Sequence, residues 1–424
     1  MADQTLIEPL SGMFAREAGS LDAWIAARLE GRTVPFYSSA DIRDAGFKAA
    51  CVDLNLFPAG FNNLCDTFAA RAIEPIRAAL CRRFGSASFR RVLLVPEAHT
   101  RNTFYNSNLN RLRALLAKAG LDVAVAAMAE EGVQPPSELI TYEGERIEVV
   151  AVRREGRLLL DPAGSAYDWI LLNNDLSSGP FSWLEGLDQP IFPPPCLGWH
   201  KRSKYQFFVF YNAVVRELAE TYSFDPWLLS PATDIVTNVS FETDAGRGRV
   251  AAAVSAMLDS VAGKYTQYGI TDTPHVFVKN DAGTYGIGIM VARSADDIIT
   301  MNRKDRNKMA VGKGRKPINA VVIQEAIPTR MLTAASAAEP VVYLIGREVI
   351  GAFLRANPER GTVDNLNAKG MTFYRYCDLQ PTREPVECVC RDSRQAFYSL
   401  IAKLAVIAAA REHEVVCNGA PMPG

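Results

Sequence analysis

The residues best suited to chemistry in this sequence are cations placed at the ends of regular elements. Lys279 closes the apolar run HVFVKN, and DAGTYGIG follows at once, with glycines at 283, 286 and 288. An ammonium at a strand end followed by a glycine-bearing turn suits a polyphosphate. The cation neutralises phosphate oxygens, and residues without bulk let backbone N–H groups approach them. A second strand, a helix and a third strand ending in Gln324-Glu325 complete the stretch and would supply an edge for a base. No G-K-[ST] follows, so this is not a Walker loop, and the glycines alone would serve an ordinary hairpin equally well.

Other chemistry-bearing positions surround this stretch. Lys204 lies in the first turn of an amphipathic helix, KYQFFVFYNAVVRELAETY, and Arg355 ends the second strand of EPVVYLIGREVIGAFLRAN. Asn365, Asn367 and Lys369 fall in DNLNAKG. Nearer the N-terminus, Asp53, Asn55, Asn62 and Asn63 are dense polar residues in an apolar setting. Glu97, His99, Arg101, Asn102 and Tyr105 follow a strand directly, where binding loops belong. Taken singly, each of these polar residues is as well explained as a turn former or helix cap. The basic run at 303–317, seven cations against one acid, reads as solvated surface and lacks the aromatics of a single-stranded nucleic-acid groove.

The elements that must position these groups follow from periodicity. Residues 1–85 show mainly helical spacing, as in SLDAWIAARLEGR. FRRVLLVP, LDVAVA and YDWILLNND are short β-rich runs separated by the helix NSNLNRLRALLAKAG, which predicts a largely parallel, doubly wound α/β unit over 90–200. Ligands collect at the carboxyl ends of such strands, here near Asn173, Asn174 and Asp175. PIFPPPCLGWH interrupts both helix and sheet and marks a boundary near 200. A helix stopping at Gly269 leads into the lysine-bearing strand, GRE turns a later hairpin, and RQAFYSLIAKLAVIAAAREH is the last helix.

Composition sets the outer bounds. The chain has 424 residues, of which 48% are hydrophobic and 22% charged, with a formal charge of -1. It is long enough for two or three domains, and it has no general field for nucleic acid or an anionic membrane. No run approaches a membrane span, and no secretion signal is visible at the N-terminus, so the expected compartment is the cytoplasm. Eight scattered cysteines without a C-x-x-C pair, beside four histidines, read as thiols in a reducing setting rather than a zinc site.

In order along the chain, Lys204, VFVKNDAGTYGIG, VVIQEAIPT, GREVIGAFLRAN and DNLNAKG resemble the ATP-grasp superfamily. The hairpin and asparagine loop are similar to those of bacterial glutathione synthetases. Over nearly its whole length, including VDLNLFPAGFNNL, VPEAHTRNTFYN, LLNNDLSSG and GWHKRSKYQFF, the chain resembles the proteobacterial ATP-grasp type of glutamate-cysteine ligase. The resemblance implies an α/β ATP-grasp fold with an α+β lid and an N-terminal doubly wound α/β substrate domain. The expected divisions are 1–200 for substrate, 201–325 with the lid, and 326–424 for the C-terminal subdomain.

It also implies an ATP- and Mg²⁺-dependent ligase joining glutamate to cysteine, with small-molecule partners only and self-association left open. Carboxylates do not react with amines at useful rates, so such enzymes form an acyl phosphate first, and catalysis is largely positioning and charge neutralisation. Lys204 and Lys279 would then meet the phosphates, with Gly283, Thr284, Tyr285, Gly286 and Gly288 closing over them. Gln324, Glu325 and Ile327 would hold adenine and ribose. Arg355 and Asn367 would join Lys279 at the transferred group. Asp53, Asn55, Asn62, Arg101 and Asn102 would bind substrate, with Arg101 on the α-carboxylate.

The metal motif departs from the superfamily, because HEVVCNGAP offers Asn418 but has Val416 where a glutamate belongs. Asp364, Asn365 and Asn418 are the assigned ligands, with Glu339, Glu412 and Glu414 as further carboxylates. Another carboxylate-amine ligase, such as glutathione synthetase, or a nucleotide-binding regulatory protein without catalysis would share these features.

Overall fold

Residues 37–55, expected to lie in a helical region, form two strands instead. The computed structural model describes residues 5–85, 89–97, 101–126, 136–282, 288–310, 318–333, 336–375 and 393–422. From the N-terminus come α1 (Ile7–Arg16), α2 (Ala18–Leu29), β1 (Tyr37–Asp44), β2 (Ala49–Asn55), α3 (Asp66–Arg71) and α4 (Ile73–Phe84). The next section holds β3 (Arg91–Pro96), α5 (Thr103–Lys118), β4 (Asp122–Val125) and two short ribbons, β5 (Glu138–Ile140) with β6 (Arg146–Glu148) and β7 (Arg153–Glu155) with β8 (Leu158–Leu160). It ends with β9 (Trp169–Asn173) and β10 (Ile191–Phe192).

After the proline cluster come α6 (Lys204–Tyr222), β11 (Thr233–Thr237), α7 (Asp244–Tyr268), β12 (Val276–Asn280), β13 (Ile289–Ala292), α8 (Asp296–Ile299), α9 (Arg303–Ala310) and β14 (Ala320–Glu325). The chain closes with β15 (Ala338–Ile345), β16 (Glu348–Ala356), β17 (Thr372–Arg375) and α10 (Ser393–Asn418).

Among the described residues the longer strands group into three sheets. The α/β unit is parallel in the order β10-β9-β3-β4, so the chain leaves β3 in opposite directions to reach β4 and β9. Such a reversal opens a crevice at the strand ends. The second sheet, β11-β14-β12-β13, is antiparallel and lies within 201–325. In β12 the alternation is plain: Val276 and Val278 enter the core on the side where α7 packs, whereas Phe277 and Lys279 line a cavity.

The third sheet, β17-β16-β15-β1-β2, is antiparallel and crosses the expected boundaries at 200 and 325, since β1 and β2 come from the first 55 residues. Ala40, Ile42, Leu54, Val342 and Leu344 are buried in the core, and α10 packs on this sheet and on α1, α2 and α6. Helix α10 is apolar on nearly every face, with Ala402, Ala405, Ala408, Ala409 and Ala410 fully buried, as suits a helix enclosed by other elements. It also absorbs the HEVVCN segment. Cys196 and Cys417, expected as thiols, are joined as a disulfide with Cα atoms 5.5 Å apart. None of the described helices is long and apolar enough to cross a membrane.

Candidate active site

Sheet register gathers the charged residues. In β1, Ser39, Asp41 and Arg43 share a face at period two, and Asp41 lies directly opposite Asp53 of β2. Glu339 of β15 pairs with Arg355 of β16. Past Asp41 the β1–β2 ladder slips, with Ile42 facing Cys51, so Val52 is the extra residue of a bulge on an edge strand. Its carbonyl is turned to use: it accepts from Lys279 Nζ at 3.3 Å.

Two adjoining cavities lie on this face. The smaller, 50 Å³, is lined by Asp41, Asp53, Lys204, Lys279, Glu339 and Arg355, together with Arg43, Phe277, Ile289, Asn365 and Asn367. The larger, 150 Å³, shares Asp41, Asp53, Lys204, Arg355 and Asn367 and adds Ser39, Asn55, Asp175, Trp199, Tyr343 and Phe353. Thus Lys204, Lys279, Arg355, Asn365, Asn367, Asp53 and Asn55, widely separated in sequence, meet at one place. Gly60, at φ +138°, keeps the 55–63 loop close to the sheet, because a Cβ there would stand 2.8 Å from Tyr343 Oη.

The cations are held by carboxylates. Arg355 Nη1 donates to Asp41 at 2.7 Å and to Glu339 at 2.9 Å, while Arg43 also pairs with Glu339. Lys204 Nζ reaches both oxygens of Asp53 at 2.7 and 2.9 Å, and Ser203 caps its helix. Asp281 ties this helix start to the end of β12: its carboxylate accepts from Ser203 Oγ and the Tyr205 N–H, each at 2.9 Å. Lys279 Nζ donates to Gln324 Oε1 at 2.6 Å.

These surroundings move the titrations. Burial pulls the Lys279 ammonium down to about 8, with Asp53 resisting the fall. Burial also disfavours charge on Arg355, but Asp41 and Glu339 outweigh it, so its pKa rises. For Asp53 burial pushes upward, and Lys204 and Lys279 bring the net value below the usual carboxylate range. Asp41 goes the other way, because burial exceeds the help from Arg355.

Other expected residues stand elsewhere or have partners already. Glu325 is buried, and its carboxylate accepts from Lys48 Nζ at 2.5 Å, Trp227 Nε1 at 3.2 Å and the Ala232 N–H at 3.0 Å, so it has a structural duty in place of a ribose contact. The Glu325 and Ala326 N–H groups are bonded to Ala232 and His275 carbonyls, and Ile327 is buried in the core. Gly288, at φ +68°, closes the glycine loop by accepting from the Asn280 N–H; Gly283, Thr284, Tyr285 and Gly286 lie outside the described residues. Arg101 is exposed and lines neither cavity, and Asn102 caps α5 through Tyr105 N. Asn62 is half-buried and also lines neither cavity, and His99 lies outside the described residues.

The metal assignments do not converge. Asn418 is exposed at the end of α10, and the Asp364 carboxylate accepts from its own loop at Gly361 N. Glu412 chelates Arg202 Nε at 2.9 and 3.1 Å, and Glu414 pairs with Arg32. Among the described residues no group of three His, Cys, Asp or Glu is poised to hold a metal. Asp41, Asp53 and Glu339 each pair with a protein cation.

A polyphosphate fits better. The cavities converge two lysines and two arginines, with Phe277 and Ile289 as apolar wall. Arg355, which lines both cavities, has a buried Nε donor with no partner among the described residues, a costly state that an anionic ligand would relieve. Asp41, Arg43, Trp199 and Phe277 are not singled out in the sequence reading, whereas Asp175 stands at the strand end expected to face a ligand. The alternation S-S-A-D-I-R-D was the available signal for the first two.

A sequence model of the family described as glutamate-cysteine ligase matches residues 12–413. Among solved structures, a presumptive gamma-glutamylcysteine synthetase from Methylobacillus flagellatus KT superposes with a TM-score of 0.87 at 36% identity, covering 98% of this chain and 97% of that one. D-alanyl-alanine synthetase A from Vibrio cholerae O1 biovar eltor str. N16961 gives a TM-score of 0.34 at 12% identity, over 74% of this chain and 81% of that one, too low to support an argument. A sequence search of curated proteins finds no match. With the family pattern spanning almost the whole chain, and a related structure matching over nearly its full length, the chain belongs to the glutamate-cysteine ligase family.

Proposed function

We propose that this protein joins the γ-carboxylate of glutamate to the amine of cysteine at the expense of ATP, through a γ-glutamyl phosphate, the first step of glutathione synthesis. The observation that carries this reading beyond family membership is the convergence of Lys204, Lys279 and Arg355 on two joined cavities. In this reading the fold is an ATP-grasp arrangement. The nucleotide lies between the lid sheet, carrying Phe277 and Lys279, and the five-stranded sheet, carrying Arg355.

A 50 Å³ cavity holds only a few waters, so in this reading nucleotide binding requires the two sheets to part. Lys204 and Lys279 then exchange part of their contact with Asp53, Val52 and Gln324 for phosphate oxygens. Arg355 sits where both cavities meet and serves the transferred phosphoryl group. Asn365 and Asn367 supply amide dipoles beside it.

The larger cavity suits the amino acid. Asp175, at the carboxyl end of the parallel sheet, and Asn55 can accept from an α-ammonium, while the carboxylate to be activated faces Arg355. Magnesium, which screens the phosphates in this chemistry, would arrive with the nucleotide, because Asp41, Asp53 and Glu339 are engaged with protein cations. A cytoplasmic setting supplies ATP and both amino acids.

The test is phosphate release from purified protein with ATP, magnesium and glutamate plus cysteine, against alanine, glycine and γ-glutamylcysteine as alternatives. Release with glutamate plus cysteine supports the reading. Release only with γ-glutamylcysteine plus glycine, or none with any pair, overturns it.

A further inference from the structure

A further recess shares no lining residue with the two cavities above. It is a cleft of 1030 Å³ between the end of α2, the 30–36 segment, α4 and the β15–β16 turn. Its volume lies at the upper end of the range for small-molecule sites. Four arginines line it, Arg32, Arg82, Arg83 and Arg347, against a single carboxylate, Glu30. In a chain whose formal charge is -1, this is a strongly one-sided arrangement.

The four arginines differ in what neutralises them. Arg32 pairs with Glu414, and Arg347 with Glu348 at 3.2 Å. Arg82 and Arg83 make no ion pair with any described residue. Arg83 donates to the Val34 carbonyl and lies over the Phe192 ring, its guanidinium carbon 4.0 Å from the centroid. Burial pulls its pKa down to about 10, with no carboxylate to oppose the fall. A half-buried guanidinium without a counter-charge carries an uncompensated desolvation cost that a bound anion would remove. Arg82 stands at the adjacent turn, close enough that a Cβ on Gly346 would meet its Nη2 at 3.3 Å. The opposite wall is uncharged, formed in part by Ala23, Ala26, Ala27 and Phe36.

We propose that this cleft is a second ligand site, taking a small organic anion with two or more negative charges and an apolar body. The charges engage Arg82 and Arg83, and the body covers the alanine and phenylalanine wall. A compact recess with two unpaired guanidiniums suits a small molecule, whereas an extended acidic chain would call for a longer cationic track.

The experiment uses the full-length protein and 2,6-naphthalenedisulfonate, a rigid dianion with an apolar body, titrated by calorimetry with and without saturating Mg²⁺ and a non-hydrolysable ATP analogue. Saturable binding that persists beside the ATP analogue is expected. Affinity should fall about tenfold or more in Arg82→Ser/Arg347→Ser, both outward positions, and in Ala27→Glu, which adds a carboxylate at an exposed wall residue. Citrate should bind more weakly than the naphthalene probe. Displacement by the ATP analogue, absence of saturable binding, or unchanged affinity in both variants with wild-type melting temperatures overturns the proposal.

Discussion

Lys279 Nζ and Gln324 Oε1 are 2.6 Å apart, so the ammonium ending β12 is held by the neighbouring strand of the same sheet. The same nitrogen reaches the Val52 carbonyl of the five-stranded sheet. One side chain therefore spans both walls of the candidate nucleotide cleft. Replacing it with alanine should lower phosphate release about 10²–10³-fold, the scale for loss of a positioned charge-stabilising donor. Circular dichroism should show the fold retained, and unchanged turnover would refute the phosphate role.

The pH profile should carry the same residue. With its pKa near 8, Lys279 is charged below that value and progressively neutral above it. Nucleotide affinity should therefore weaken as pH rises through about 8 to 9, and a bound triphosphate should shift the limb upward. For stability the sign is opposite. The unfolded chain binds more protons between about 8 and 10.4, so this group's burial penalty, full below 8, fades as pH rises. Lys279→Arg should remove the alkaline limb of KM for ATP, and its persistence would assign the limb elsewhere.

Arg355 stands between Asp41 and Glu339 with little solvent access. Arg355→Leu strands Asp41, leaves Glu339 with Arg43 alone, and should cost about 3–5 kcal/mol in urea unfolding. Adding Asp41→Asn should recover part of that loss without restoring activity. Full recovery of activity by the double variant would remove Arg355 from the chemistry.

Glu325 separates a structural from a nucleotide role. Because it already accepts three hydrogen bonds, Glu325→Gln should destabilise by about 3 kcal/mol. The preference between ATP and deoxy-ATP should stay unchanged. A collapse of that preference in a protein of normal stability would return Glu325 to the ribose.

The Cys196–Cys417 link spans 221 residues of sequence. Cys417→Ser, or full reduction, should lower stability by about 2–4 kcal/mol. Thiol titration under denaturation reads the link directly: Cys196 and Cys417 should become titratable only after reduction, and their labelling without reductant would show that they are not joined.

Much of the candidate site was legible because its residues sit at element ends. Lys204 opens α6 and Lys279 lies near the end of β12, as periodicity predicts, and the parallel sheet ends at Asn173 as expected. What was hidden depends on pairing between distant segments. Asp41 and Arg43 carry no motif, and they matter only because β1 lies beside β15. Arg101 looked apt for a carboxylate because it follows a strand, yet its loop stands outside both cavities. The metal ligands were not legible: HEVVCN lies within α10, Asn418 is exposed at its end, and Glu412 is paired with Arg202.

The mixed parentage of the five-stranded sheet bears on how the molecule is made. Asp41 and Asp53 leave the ribosome about 300 residues before Glu339 and Arg355 (339 minus 41 is 298). Until then β1 lacks its β15 neighbour and Asp41 its guanidinium. The parallel α/β unit can fold during synthesis, whereas the candidate-site face must wait for nearly the whole chain, leaving an unpaired strand edge exposed in the meantime. A chaperone that shields the β1–β2 hairpin would therefore act on this protein while it is still being translated.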